Sequence, residues 1–265
     1  MPSGGPRVWP VFATYGAVLV WLLLANLAVV AASLAVTGGM RVTPGILVGT
    51  LTLNAASLAV ASLVGSQLSG EPPSVRLRTG PGRLSWPAVG LGVAGLLALS
   101  QAADVVLILL GLRTRGALGF LQELIARISG PMLILTLLVA GVLAAAAEEL
   151  FFRGFVETRL AARWGRWRAI GITAAGFAVF HLDPVHAAFA LAVGLFLGWT
   201  TELAASIRPA VAAHVANNCV SLLQTWWPSG SASDGQRAGL LALSLAVSAG
   251  AIVLLRRSDP DRSAV

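Results

Sequence analysis

The sequence predicts an all-α fold, a polytopic transmembrane bundle of about eight helices. Three observations lead there. Only 11% of the 265 residues are charged and 57% are hydrophobic, whereas a soluble domain carries about 25% charge. Mean hydropathy is +0.83. The apolar residues fall in long runs separated by short arginine-bearing stretches. About 20 residues at ~1.5 Å each cross a ~30 Å hydrocarbon core. A soluble enzyme with a large core is excluded.

The runs lie near 11–36, 44–68, 85–112, 131–155, 169–182, 185–203, 208–227 and 239–255. The first has Arg7 ahead of it and small residues near Ala35, as a signal peptide would. Its apolar run exceeds the roughly 7–15 residues of a signal core, so a retained helix is expected. The fifth is short and ends at Asp183-Pro184, so it is expected to tilt or to shelter behind neighbours. Residues 70–83 read as a Gly/Pro/Arg-rich loop, and 113–130 as a short amphipathic helix along the interface. The tail after Arg256 is expected to be mobile. No internal repeat is evident, and one membrane domain spans 1–265, with a catalytic core at about 130–227.

The net charge is +7, and all 18 basic residues are arginine. In a soluble protein that balance would suggest nucleic acid. Here the arginines sit between apolar runs, where positive charge orients the chain, and no nucleic-acid partner is expected. With the N-terminus in the cytoplasm, the cytoplasmic side holds Arg7, Arg76, Arg78, Arg83, Arg159, Arg163, Arg166, Arg168, Arg208, Arg256, Arg257 and Arg262. The other side holds only Arg41, Arg113, Arg115, Arg127 and Arg237. Both termini are therefore predicted to be cytoplasmic. The basic loop 159–168 could also attract anionic lipid of the bilayer. The single cysteine, Cys219, excludes an internal disulfide and a Cys-based zinc site, and reads as packing rather than a nucleophile.

The fourth run carries only Glu148, Glu149 and Arg153 as charges within 131–155. A charge at membrane depth costs at least ~2.5–3.5 kcal/mol, so an intramembrane ionisable residue points to function. Glu149 and Arg153 are four apart and can pair on one helix face. Glu148 points about 100° away, with no partner on its own helix. Such a carboxyl is suited to taking and returning a proton. The fifth run brings Phe177 and His181, four apart; the seventh brings His214 and Asn218, also four apart, with Asn217 beside them. Taken singly, each has a plainer reading: glutamates that only pair with Arg153, a histidine bonded at a helix end, a polar clasp between helices. Depth favours a shared role. Glu148 lies ~18 Å from the cytoplasmic end, His181 ~20 Å, and His214 with Asn218 ~9–15 Å. A carboxylate, two imidazoles and an amide at one level are the parts of a hydrolytic site, able to activate water and to hold an oxyanion. His186 reads as interfacial, Glu157 as a solvated partner of the arginines, and Glu202 as a helix end facing water. Gly194 and Gly198 read as a close helix contact, and Trp226 with Trp227 as an interfacial belt.

These motifs resemble a known family. AEELFFRGF at 147–155 is similar to the EExxxR motif of the CPBP (CAAX protease and bacteriocin-processing) intramembrane proteases, also called Abi/CAAX prenyl protease type 2-like. FAVFH at 177–181 resembles their FxxxH motif, and HVANN at 214–218 their HxxxN motif. The resemblance covers about 140–220 and implies an intramembrane endopeptidase acting on a protein or peptide substrate at the membrane. It further implies that Glu148 and His181 activate water and that His214 and Asn218 hold the oxyanion. Glu149 and Arg153 would shape the site, with Phe177 in support. The family is often called metalloprotease, and Glu148, His181 and His214 could ligate zinc with an open position. There is no HExxH helix, and a metal-free, glutamate-activated water needs the same residues. The alternative is a non-catalytic binding or immunity protein using the same pocket. A proton-coupled transporter would favour broken helices and repeated halves, which the sequence lacks.

Overall fold

A computed structural model describes residues 8–37, 42–67, 72–227 and 232–258. Arg7, Arg41, Arg262 and the tail beyond Ser258 lie outside the described residues. The described residues form helices and connecting turns, with no strand among them. In order these are α1 (Trp9–Thr37), α2 (Pro44–Gln67), a single turn at Pro73–Arg76, α3 (Trp86–Leu109) and α4 (Gly116–Ala126). There follow α5 (Pro131–Trp164), α6 (Arg166–Val179), α7 (Pro184–Ala204), α8 (Arg208–Trp226) and α9 (Asp234–Arg257). All eight apolar runs are helical. Among the described residues six helices, α1, α2, α3, α5, α7 and α9, are long and apolar enough to cross a membrane. This is the build of a multi-pass membrane protein. The other two runs fall short for physical reasons. The α6 helix has 14 residues, and α8 has 19 that include His214, Asn217 and Asn218.

Local chemistry sets the breaks. Gly165, with φ at 80°, takes a conformation that a side chain would strain, and it separates α5 from α6. Asp183 caps α7, its Oδ1 accepting the His186 N–H at 2.8 Å, with Pro184 in the first turn. Ser233 and Gln236 form a reciprocal capping box at the start of α9.

The α5 helix is not uniform. Leu137–Leu143 and Leu150–Glu157 are π-helical, and they flank a regular α turn, Ala144–Glu149. Such wide turns are uncommon and recur at functional sites. They re-aim the side chains on either side, here the two glutamates and Arg153.

One end of the bundle is tied together by backbone. The Arg83 N–H donates to the Ala204 carbonyl at 2.8 Å, the Ile207 N–H to that of Arg78 at 3.0 Å, and Ser206 Oγ to that of Gly80 at 2.7 Å. Arg78 also pairs with Glu202, so Glu202 is a buried-side partner of the 72–85 loop rather than a helix end in water. Glu157 needs a larger correction. Its neighbouring arginines suggested solvent, but it is fully buried, with its carboxylate against Gly198 of α7. Gly198 has no Cβ to fill that space, and this is what admits the carboxylate. Gly194, one turn earlier, lets α7 close on Ala174 and Phe177 of α6. The two glycines make the predicted close contact. The core between α5, α6 and α7 is aromatic, with Phe151, Phe152, Phe155 and Phe177 fully buried.

Candidate active site

Glu149 and Arg153 are fully buried and joined by a hydrogen-bonded ion pair of 2.8 Å. The second Arg153 nitrogen donates to the Gly194 carbonyl at 3.0 Å, and the guanidinium lies 4.8 Å from the centre of the Phe177 ring. A buried charge is tolerable only when paired and hydrogen-bonded; the pair meets this through Glu149 Oε1 and both terminal Arg153 nitrogens, while Glu149 Oε2 and Arg153 Nε have no partner among the described residues. The same Glu149 oxygen accepts from His214 Nδ1 at 2.7 Å. One carboxylate therefore joins α5 to α8, and the arginine joins α5 to α7.

Glu148 faces the other way. Its side chain is 25% exposed and lines a cavity of about 630 Å³. Its Oε2 is 3.7 Å from His214 Nε2, which is an ion-pair distance and too long for a hydrogen bond. Phe177, His181, His214, Asn217 and Asn218 line the same cavity. The three motifs thus converge on one space.

Hydrogen bonds assign the ring nitrogens. His214 gives its Nδ1 hydrogen to Glu149, which leaves Nε2 toward Glu148. His181 Nδ1 lies 2.9 Å from the Phe177 carbonyl, an acceptor, so Nδ1 carries the hydrogen and Nε2 a lone pair. Phe177 is the wedge between them, its ring edge-on to His181 at 4.8 Å and to His214 at 5.8 Å. Asn218 Nδ2 donates to the Ala140 carbonyl in the first π stretch at 3.3 Å, which uses one of its two N–H groups. Cys219 packs against Gly141, as its packing role requires.

Residues 130–220 match the model of the Rce1-like family, type II CAAX prenyl endopeptidases. The match takes in all three motifs and every site residue named above. No curated protein and no solved structure matches the chain.

The Rce1-like resemblance leaves zinc as a question for the geometry. Among the described residues, no three His, Cys, Asp or Glu side chains converge as metal ligands do. Each of the two histidines bonds through Nδ1, to Glu149 or to the Phe177 carbonyl, which leaves Nε2 open as it also is in metal-bound histidines, so the misfit lies in the spacing of the three groups alone. As placed, Glu148, His181 and His214 do not form a ligand set, and no step below passes through a metal.

Some site residues escaped the sequence. His186 is not an isolated interfacial residue. Its ring centre is 4.2 Å from that of His181, and it lines the cavity. The Asp183-Pro184 cap was the available signal, since it starts α7 directly after His181 and turns its third residue back toward the site. The opposite wall is polar too. Asp104 and Arg113 pair at 2.8 Å, and Gln224 donates to Gln101 at 3.0 Å, all bordering the cavity. Gln101 and Gln224 are 123 residues apart, which left no spacing to read, and Arg113 reaches Asp104 across the turn after α3.

Proposed function

We propose that this protein is an intramembrane endopeptidase that hydrolyses a peptide bond of a membrane-associated protein or peptide. The observation that carries the reading is the pairing of opposites on one helix turn: Glu149 locked into the core and Glu148 open to a cavity that also holds His181, His214 and Asn218.

In this mechanism Glu148 takes a proton from the attacking water. His181 Nε2, held as an acceptor by the Nδ1 bond to Phe177, orients the same water by accepting its other hydrogen. The hydroxide adds to the carbonyl carbon. The free N–H of Asn218 and, in its doubly protonated form, Nε2 of His214 donate to the resulting oxyanion. Collapse breaks the C–N bond, and Glu148 returns its proton to the departing amine. Glu149 and Arg153 stay out of the chemistry and hold His214 in place. Phe177 keeps the two imidazoles apart. The arginine asymmetry favours cytoplasmic termini at both ends.

The test compares membranes from cells expressing wild type or Glu148→Gln at matched levels, by profiling protein termini. New ends with wild type alone support the peptidase. Ends that persist with Glu148→Gln remove it. Identical profiles from two folded, abundant proteins favour the binding or immunity alternative.

A further inference from the structure

The cavity occupies one half of the bundle only. Its α3 residues run from Leu97 to Leu107, toward the end of a helix that closes at Leu109. Its α5 residues run from Thr136 to Glu148, the first half of Pro131–Trp164. Its α7 residues lie between His186 and Val193, near the start of Pro184–Ala204. On α8 they begin at His214 and continue to Thr225, one residue short of the helix end. Each of these helices runs in the opposite sense to its chain neighbour, so all these portions point to the same end of the molecule. That end also carries α4, whose Leu121, Gln122 and Ile125 wall the cavity.

The other half lines none of this cavity; a separate pocket of about 310 Å³ there, lined by Arg166, Trp199, Glu202 and Arg256, holds none of the motif residues. Directly beyond Glu148 on α5 come Phe151, Phe152, Arg153, Phe155 and Glu157, all buried. Hydrogen bonds between the 78–83 loop and residues 204–207 tie that end together. That end is the arginine-rich one. It gathers Arg76, Arg78, Arg83, Arg159, Arg163, Arg166, Arg168, Arg208, Arg256 and Arg257. The open end has Arg113, Arg115, Arg127 and Arg237 among the described residues. Arginine in short loops is retained in the cytoplasm.

We propose that the site is served from the non-cytoplasmic side of the membrane, and that its substrate is an extended polypeptide segment presented there. This rests on the peptidase reading for what the site does, and on the arginine asymmetry for which way it faces. The lining suits an unfolded peptide. Backbone N–H and C=O groups freed from a helix need partners in a water-poor space. Gln101, Gln122, Gln224 and the Asp104–Arg113 pair offer both donors and acceptors. Asn218 and Gln224 are separated by ~9 Å along α8, room for about three extended residues between the site and the polar wall.

Sided labelling tests it. In a Cys219→Ser background, Gln122→Cys reports the cavity and Arg166→Cys the arginine-rich end. Spheroplasts of a bacterial host receive a membrane-impermeant maleimide before or after lysis. Gln122→Cys is expected to label as fully before lysis as after, and Arg166→Cys only after lysis. The reverse pattern overturns the proposal, whether or not the protein cleaves anything. Label at Gln122→Cys only after lysis, with none at Arg166→Cys beforehand, means that the cavity does not open outward, and overturns it equally. Labelled Gln122→Cys protein is then assayed for the cleavage found by terminus profiling. A loss of cleavage ties the outer opening to substrate entry, and full cleavage separates the two and sinks the entry route. Failure of the peptidase reading itself is seen elsewhere, in ends that survive Glu148→Gln.

Discussion

Arg153→Met probes the part of the site that does no chemistry. It removes three things at once: the 2.8 Å bond to Glu149, the 3.0 Å bond to the Gly194 carbonyl, and the cation resting against Phe177. Neutral interhelical hydrogen bonds in membranes average only ~0.6 kcal/mol in mutant cycles. This change is different in kind, because it leaves Glu149 fully buried without its counter-charge. Breaking one side of a buried pair costs about 3–5 kcal/mol, and we expect a loss of that size. Cys219 is half-buried in the folded bundle, so it is replaced by serine in this assay, and unfolding along a denaturing detergent titration is followed by tryptophan fluorescence. The double variant Glu149→Leu/Arg153→Met should recover most of the loss, since an apolar replacement for a buried pair is often neutral. It should still fail to cleave, because His214 loses the acceptor that holds it. A single-variant cost under ~1 kcal/mol, or a double variant less stable than the single, would refute the reasoning.

Three further outcomes follow from the same geometry. Asn218→Leu is expected to lower kcat by about 10²–10³-fold with little change in KM, as loss of one oxyanion donor does; a rise in KM at constant kcat would assign Asn218 to binding instead. Gly198→Ala places a Cβ 2.6 Å from Glu157 Oε2 and 3.2 Å from Ile170, and overpacking of this kind costs about 1–3 kcal/mol. Denaturant titration measures it, and full stability of Gly198→Ala would show that Glu157 is not held where the structure has it. Dialysis against a zinc chelator should leave cleavage unchanged to within about twofold, whereas loss reversed by added zinc would reinstate a metal role for Glu148, His181 and His214.

What could be read without coordinates was local. The Glu149–Arg153 pair follows from i,i+4 spacing, and the opposite face of Glu148 from the ~100° step of a helix. The three motif helices were also legible, because apolar length and polar spacing both live within one segment. Contacts between segments were not. Nothing in the spacing says that His214 bonds Glu149, or that His214 rather than His181 is the ring lying 3.7 Å from Glu148. Glu157 misled because its sequence neighbours are arginines, while its burial is decided by an absent Cβ on α7. His186 was hidden in the same way, brought to His181 by a tight turn. The count of eight spans blurred at α6 and α8, the two helices whose length or polarity is given up to the site.

Two adjacent glutamates have contrasting surroundings here, and under the proposed peptidase reading that contrast gives each a separate task. A hydrolytic carboxylate at bilayer depth must meet water and substrate, so it cannot be fully paired. The bundle must also hold a histidine at the same depth, and that calls for a fixed, charged acceptor. One residue cannot do both. The regular turn at Ala144–Glu149, set between two π-helical stretches, separates the two surroundings by pointing neighbours about 100° apart around one helix. Glu149 turns inward, where Arg153 and His214 both bond its Oε1. Glu148 turns outward, where its closest charged neighbour stays beyond hydrogen-bonding reach. Exchanging the environments would disable both: an unpaired carboxylate would be trapped in the core, and a paired one would be idle in the cavity. The buried aromatic residues just beyond, Phe151, Phe152 and Phe155, then fill the core on the far side of Glu149 and leave Glu148 on the cavity side.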